Sequence, residues 1–117
     1  MDARIVHFGC DDCHRIAALK RAGYLVEDCG STSLLHAALV EVQGADAVVI
    51  AENDGAAPCD LISLTRATSM VPLILFQGRN PHYDESDFDL VVPALTGTRQ
   101  WLTAIAALIR ERRSATV

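Results

Sequence analysis

No stretch of this 117-residue chain approaches the roughly 20 consecutive apolar residues that a membrane-spanning helix needs. The N-terminus also lacks a basic region followed by an apolar one, so no leader is read there and a cytoplasmic protein is expected. Basic charge is scarce: 10 Lys and Arg stand against 15 Asp and Glu, for a net charge of -5. That balance argues against a nucleic-acid duplex as the main partner, because phosphate binding requires a basic surface. Arg110, Arg112 and Arg113 form the only basic cluster, at the end of the last helical segment, where cations complement the helix dipole. Internal repeats and linkers are absent as well. Cysteine is limited to Cys10, Cys13, Cys29 and Cys59, and a chain with a full apolar core needs no disulfide framework, so reduced thiols are expected.

What is present is half hydrophobic and 21% charged, the composition of a globular chain with a solid core. By size it is a single domain spanning residues 1–117, able to bury about two-thirds of the surface its unfolded chain exposes. Five short apolar runs, at residues 5–8, 24–26, 47–51, 71–76 and 90–93, alternate with helix-length segments. In one domain that rhythm implies a parallel sheet covered on both faces. Open sheets of this kind bind ligands outside the carboxyl ends of their strands, which directs attention to residues 9–12, 52–54, 77–78 and 92–93.

Local signals mark the helices. Gly9 turns the chain after the first strand, Asp11 or Asp12 is positioned to cap a helix running through Ala22, and Gly23 ends it. Ser31 is placed to cap a helix with Leu34, Leu35, Ala38, Leu39 and Val42 at helical spacing, stopped by Gly44. Asp60 starts another, with Leu61, Leu64 and Ala67 facing inward. Residues 77–89 are broken by Gly78, Asn80 and Pro81 and carry Asp84, Glu85, Asp87 and Asp89, leaving room for a turn or two of helix at most. From Thr98, the residues Trp101, Leu102, Ile105, Leu108 and Ile109 trace one apolar face of a closing helix.

With Arg-Ile-Val at the start, Ala-Gly-Tyr before the second strand, Val-Pro-Leu-Ile-Leu-Phe at the fourth and a proline directly after the fifth, the whole chain resembles the response-regulator receiver family. The resemblance implies an α/β fold of the (βα)5 flavodoxin-like type, a three-layer sandwich around a five-stranded parallel sheet of order 2-1-3-4-5. The helix between the fourth and fifth strands is expected to be shortened or replaced by a loop. The chemistry the resemblance implies is phosphoryl transfer from a histidine kinase to an aspartate ending the third strand. It further implies an acidic pair holding Mg2+, a Thr or Ser ending the fourth strand, and a Lys just before the proline after the fifth. Carboxylates suit a hard cation, while amine and hydroxyl take up charge on phosphoryl oxygens.

This sequence departs from that pattern at nearly every position. Counting from Arg4, the acidic pair falls on Gly9 and Cys10, whereas the acids present are Asp11 and Asp12. Counting forward from Asp46 puts the phosphoacceptor at Ala51, counting back from Pro58 puts it at Asp54, and Glu52 lies between them. Gln77 occupies the hydroxyl position and Val92 the Lys position, with Arg99 the nearest basic residue in sequence. Asp89 takes the place of the aromatic switch residue, next to Phe88. Losing a group that stabilises a transferring phosphoryl typically costs several kcal/mol.

The expectation is therefore a degenerate, pseudo-receiver signalling domain of the two-component kind. It acts by protein–protein interaction with a kinase, an output domain or its own copy, is not an enzyme, and contacts neither nucleic acid nor membrane. The alternative is an active phosphoacceptor of a phosphorelay using Asp54 with Asp11, Asp12 and Mg2+; no other cofactor is implied. A second alternative is thiol redox chemistry at Cys10 and Cys13, a C-x-x-C pair where a helix start favours the thiolate and Asp11 and Asp12 oppose it. Zinc held by Cys10, Cys13, His14 and Cys29 rests on the same spacing alone. The run from Cys10 to Arg15 has four intervening residues where a phosphatase loop needs five. His7, inside the first strand, reads as a satisfied interior side chain, and His36 and His82 have no evident triad companions.

Overall fold

The computed structural model of the chain describes residues 3–8, 14–29, 46–51, 72–78, 88–93 and 95–115, excepting the side chains of Cys29 and of residues 112–115. Within them run β1 (Arg4–Phe8), α1 (Arg15–Arg21), β2 (Leu25–Cys29), β3 (Ala47–Ala51), β4 (Leu73–Phe76), β5 (Leu90–Val92) and α2 (Thr98–Ala115). The strands form one sheet of order β2-β1-β3-β4-β5, every pairing parallel, as the sequence led one to expect.

Both faces of the sheet are covered, which explains the near-continuous Val/Ile character of its middle strands: β3 and β4 are buried along their whole length. On one face Ile5, Ala47, Val49, Ile74, Phe76 and Val92 meet Leu19 of α1 and Trp101, Ile105 and Ile109 of α2. Trp101, Ile105 and Ile109 recur every four residues and so line one stripe of the closing helix. Leu102 and Leu108, read from the sequence as part of that stripe, lie at its edges and are half-buried. Burying each large side chain contributes about 1.5–3 kcal/mol, so this stripe fixes α2 against the sheet.

The first helix differs from the sequence reading at its start. Neither Asp11 nor Asp12 is its cap: α1 begins at Arg15, and its N-cap is His14, in left-handed geometry (φ 54°) and without a side-chain cap bond. A residue at positive φ cannot continue a helix backwards, which sets the boundary there. The C-terminal end agrees with expectation. Gly23 adopts φ 102°, its N–H bonds the carbonyl of Lys20, and the Tyr24 N–H bonds that of Leu19. These are the two bonds of a Schellman cap, and they need a residue free to enter the left-handed region. Lys20 is exposed in the last turn, beside Arg21.

The second strand begins at Leu25 and extends to Cys29, three residues past the end of the apolar run at Val26, because β1 supplies partners through Phe8. The fourth begins at Leu73. The helices expected after Ser31 and Asp60, and the broken segment over residues 79–87, lie outside the described residues. No helix among the described residues is long and apolar enough to cross a membrane.

Candidate functional site

Because the strands are parallel, their carboxyl ends share one rim, and the pairing fixes who stands next to whom. Ala51 of β3 pairs with Phe76 of β4, and Phe76 with Val92 of β5. One step back along the strands, Asp28 of β2 pairs with His7 of β1, and His7 with Val49 of β3. All of these side chains belong to the face covered by α1 and α2, since they share the two-residue period of Ile5 and Ala47.

Val92 is 4% exposed, so the position at which the receiver pattern calls for an amine is filled by aliphatic packing. Ala51 is 6% exposed and offers a methyl group where the forward count placed a phosphoacceptor. Gln77 is half-buried beyond the end of β4, and its backbone N–H bonds the Val92 carbonyl at 2.9 Å, so the two residues are neighbours. Asp89 is elsewhere. Its carboxylate accepts the Leu73 N–H at 2.8 Å and its own N–H bonds the Leu73 carbonyl at 2.9 Å, clipping together the starts of β4 and β5 at the opposite edge from the rim. Phe88 beside it is buried.

A cation does reach the rim, from the first helix, which the sequence reading had not singled out as its source. Arg15, in the first turn of α1, places its guanidinium carbon 4.2 Å from the centroid of the Phe76 ring. Its Nη1 lies 3.3 Å from Nε2 of His7. The reach from β1 to β4 passes over β3, where Ala51 contributes only a methyl group on that face. Phe76 in turn meets Trp101 edge-on, with centroids 5.2 Å apart and an interplanar angle of 86°. His7 is fully buried, as expected of an interior side chain, and its Nδ1 lies 3.6 Å from Oδ1 of the more exposed Asp28, an ion-pair distance longer than a hydrogen bond.

Sequence reading missed Arg15 and Asp28 as members of this edge. Arg15 was legible as the first-turn cation of a helix that starts at the rim, once His14 is known to be the cap. Asp28 becomes visible only through its register with His7. Arg99, the basic residue nearest Val92 in sequence, is exposed in the first turn of α2, and Lys20 sits in the last turn of α1. Among the described residues the rim cation is thus Arg15.

Asp11, Asp12, Glu52, Asp54, Cys10 and Cys13 lie outside the described residues, as do Cys59, His36 and His82. His14 is exposed, and the Cys29 backbone pairs with Phe8 at the end of β2. Among the described residues no three His, Cys, Asp or Glu side chains gather as a metal site.

No protein-family model matches the sequence, and no curated protein matches it. Solved structures do match in shape. A CheY-like response regulator receiver domain protein from Methanospirillum hungatei superposes with a TM-score of 0.76 at 14% identity, covering 98% of this chain and 99% of that one. The N-terminal domain of a response regulator/sensory box/GGDEF protein from Carboxydothermus hydrogenoformans gives 0.75 at 13% identity, covering 97% and 99%. The receiver domain of the TMAO respiratory system response regulator TorR gives 0.74 at 21% identity, covering 93% and 98%. The chain therefore has the fold of these receiver domains, with its strand order and nearly their full length.

Proposed function

We propose that this chain is a signalling domain of receiver fold that works by binding a protein partner, a kinase, an output domain or a second copy of itself, and is not phosphorylated. The observation that carries this reading is Val92: an aliphatic side chain, 4% exposed, closes the tip of β5 where phosphoryl transfer would need an amine. Gln77 beside it has no hydroxyl to offer. Without one such electrostatic partner, stabilisation of the transferring group falls by about 3 kcal/mol, on the order of a hundredfold in rate or more. Binding a partner requires only a shaped surface, which the fold supplies without that chemistry.

A second reading is favoured by the placement of Arg15. In it the domain accepts a phosphoryl group at Asp54, with Asp11, Asp12 and Mg2+, and the guanidinium of Arg15 replaces the missing amine. Against that reading, the Arg15 head group already stacks on Phe76 and bonds His7.

Backbone NMR with beryllofluoride and Mg2+ separates the two. Under the first reading the signals of residues 48–54 and 90–93 stay where they are. A saturable shift centred on Asp54, abolished in Arg15→Gln, would establish the second and overturn the first.

A further inference from the structure

His7 is a fully buried imidazole set between two oppositely charged groups, and its two ring nitrogens have different tasks. Nε2 faces Nη1 of Arg15 at 3.3 Å. A guanidinium carries only N–H donors, so in this bond Nε2 must present its lone pair. The proton of the neutral ring then sits on Nδ1, on the side of the Asp28 carboxylate, 3.6 Å away. This arrangement assigns both the tautomer and the charge state of the ring that holds Arg15 in place.

We infer that His7 is a proton-controlled latch: in its neutral Nδ1–H form it holds the Arg15 guanidinium over the tip of β4, and protonation at Nε2 releases it. The step balances simply. A solvent proton adds to the Nε2 lone pair, the Nη1–H···Nε2 hydrogen bond is lost, and the new imidazolium stands beside a guanidinium of like charge. Among the described residues, the charged groups facing the ring are Arg15 from α1 and Asp28 from β2. The neighbours on the other side, Val49 of β3 and Phe76 of β4, carry no charge. Asp28 favours the imidazolium, but its side chain is 58% exposed and its pull is screened, whereas Arg15 makes direct contact with the ring. Release shifts the guanidinium away from His7 and from the Phe76 ring that Trp101 touches. The latch is independent of whether Asp54 accepts a phosphoryl group.

The test is a pH titration of the isotopically labelled chain by NMR across the ordinary histidine range, about pH 8 to about pH 5. Imidazole 1H–15N spectra should show the Nδ1–H tautomer of His7 at the alkaline end. The Arg15 guanidinium signals and the Trp101 indole signal should then move together, with the midpoint of the His7 ring itself. The control is His7→Gln: its side-chain oxygen can accept the Arg15 bond but takes up no proton. In that variant the Arg15 and Trp101 responses should vanish. If it does not fold, Arg15→Gln in the otherwise native chain should abolish the Trp101 response while the His7 ring still titrates. An Nε2–H tautomer in the native chain, Arg15 signals indifferent to the His7 midpoint, or an undiminished response in His7→Gln would each overturn the latch.

Discussion

Nη1 of Arg15 lies 3.3 Å from Nε2 of His7, joining the first helix to the first strand above a fully buried ring. One contact therefore places a cation at the sheet's carboxyl edge and gives the buried Nε2 a hydrogen-bond partner. Stacking on Phe76 fixes the guanidinium's second coordinate, and Phe76 passes that contact on to Trp101 in the closing helix.

Arg15→Ala should accordingly destabilise the fold although Arg15 is only half-buried. Removal forfeits a cation–π contact of roughly 0.5–2 kcal/mol and the hydrogen bond to the buried His7 ring, worth about 1 kcal/mol. A loss of about 2 kcal/mol is expected in urea unfolding followed by the fluorescence of Trp101, the single tryptophan of the chain. Arg15→Lys should recover little of it, since an ammonium lacks the planar face that stacks on Phe76. A loss below about 0.5 kcal/mol would mean that the guanidinium is not held as described.

Val92→Lys, the substitution that restores the receiver pattern, is expected to fail in the native background. The new ammonium would emerge at a buried site next to Phe76, whose ring already carries a guanidinium. Like charges crowded there should cost about 2 kcal/mol or more. Combined with Arg15→Gln the penalty should shrink by at least about 1 kcal/mol, a coupling read from a double-mutant cycle of unfolding free energies. Simple additivity of the two substitutions would show that the two positions do not share one charge site.

The sheet was legible in the sequence because its signal is redundant. Each strand is an apolar run of strand length, the intervening segments have helix length, and parallel connectivity then leaves few orders to choose from. The closing helix was legible for the same reason: Trp101, Ile105 and Ile109 repeat a single period. What escaped was pairwise and non-local. His14 as cap depends on a backbone angle that its residue type does not demand, and reading Asp11 or Asp12 as caps placed the start of the helix too early. With the start misplaced, Arg15 fell inside a helix instead of at the rim. Val92 and Gln77 were singled out because the receiver pattern assigns those positions a chemistry, so a different residue type stands out. Asp28 has no such marker, and only strand register brings it opposite His7.

Asp89 supplies a prediction that separates structure from function. Its carboxylate accepts the N–H of Leu73, a fully buried residue. Asp89→Ala strands that donor and should cost about 1–3 kcal/mol, whereas Asp89→Asn keeps an acceptor oxygen and should cost less than half as much. Because the clip lies at the amino edge of β4 and β5, neither variant should alter the environment of Arg15. Native-like Arg15 guanidinium NMR signals in Asp89→Asn would verify this; displaced ones would mean that the two edges of the sheet are coupled.

Two turns that share a backbone region should respond to substitution with opposite sign. Gly23, at φ 102°, closes the Schellman cap of α1, and a Cβ placed there would meet nothing within 4 Å. The cost of Gly23→Ala is thus purely conformational, about 1–2 kcal/mol for forcing an L-residue into the left-handed region. Leu95 already bears that strain at φ 69°, in the turn where the Thr96 N–H and Oγ1 both bond the Pro93 carbonyl. Its side chain is entirely exposed, so Leu95→Gly sacrifices no packing. Relief of backbone strain, set against the extra freedom glycine has in the unfolded chain, should leave a net gain of about 0.5–1 kcal/mol. Urea unfolding of both variants tests the pair together. Gly23→Ala should lower the midpoint and Leu95→Gly raise it, at equal m-values, and a fall in both would mean that the Leu95 side chain supports the fold through contacts beyond its own turn.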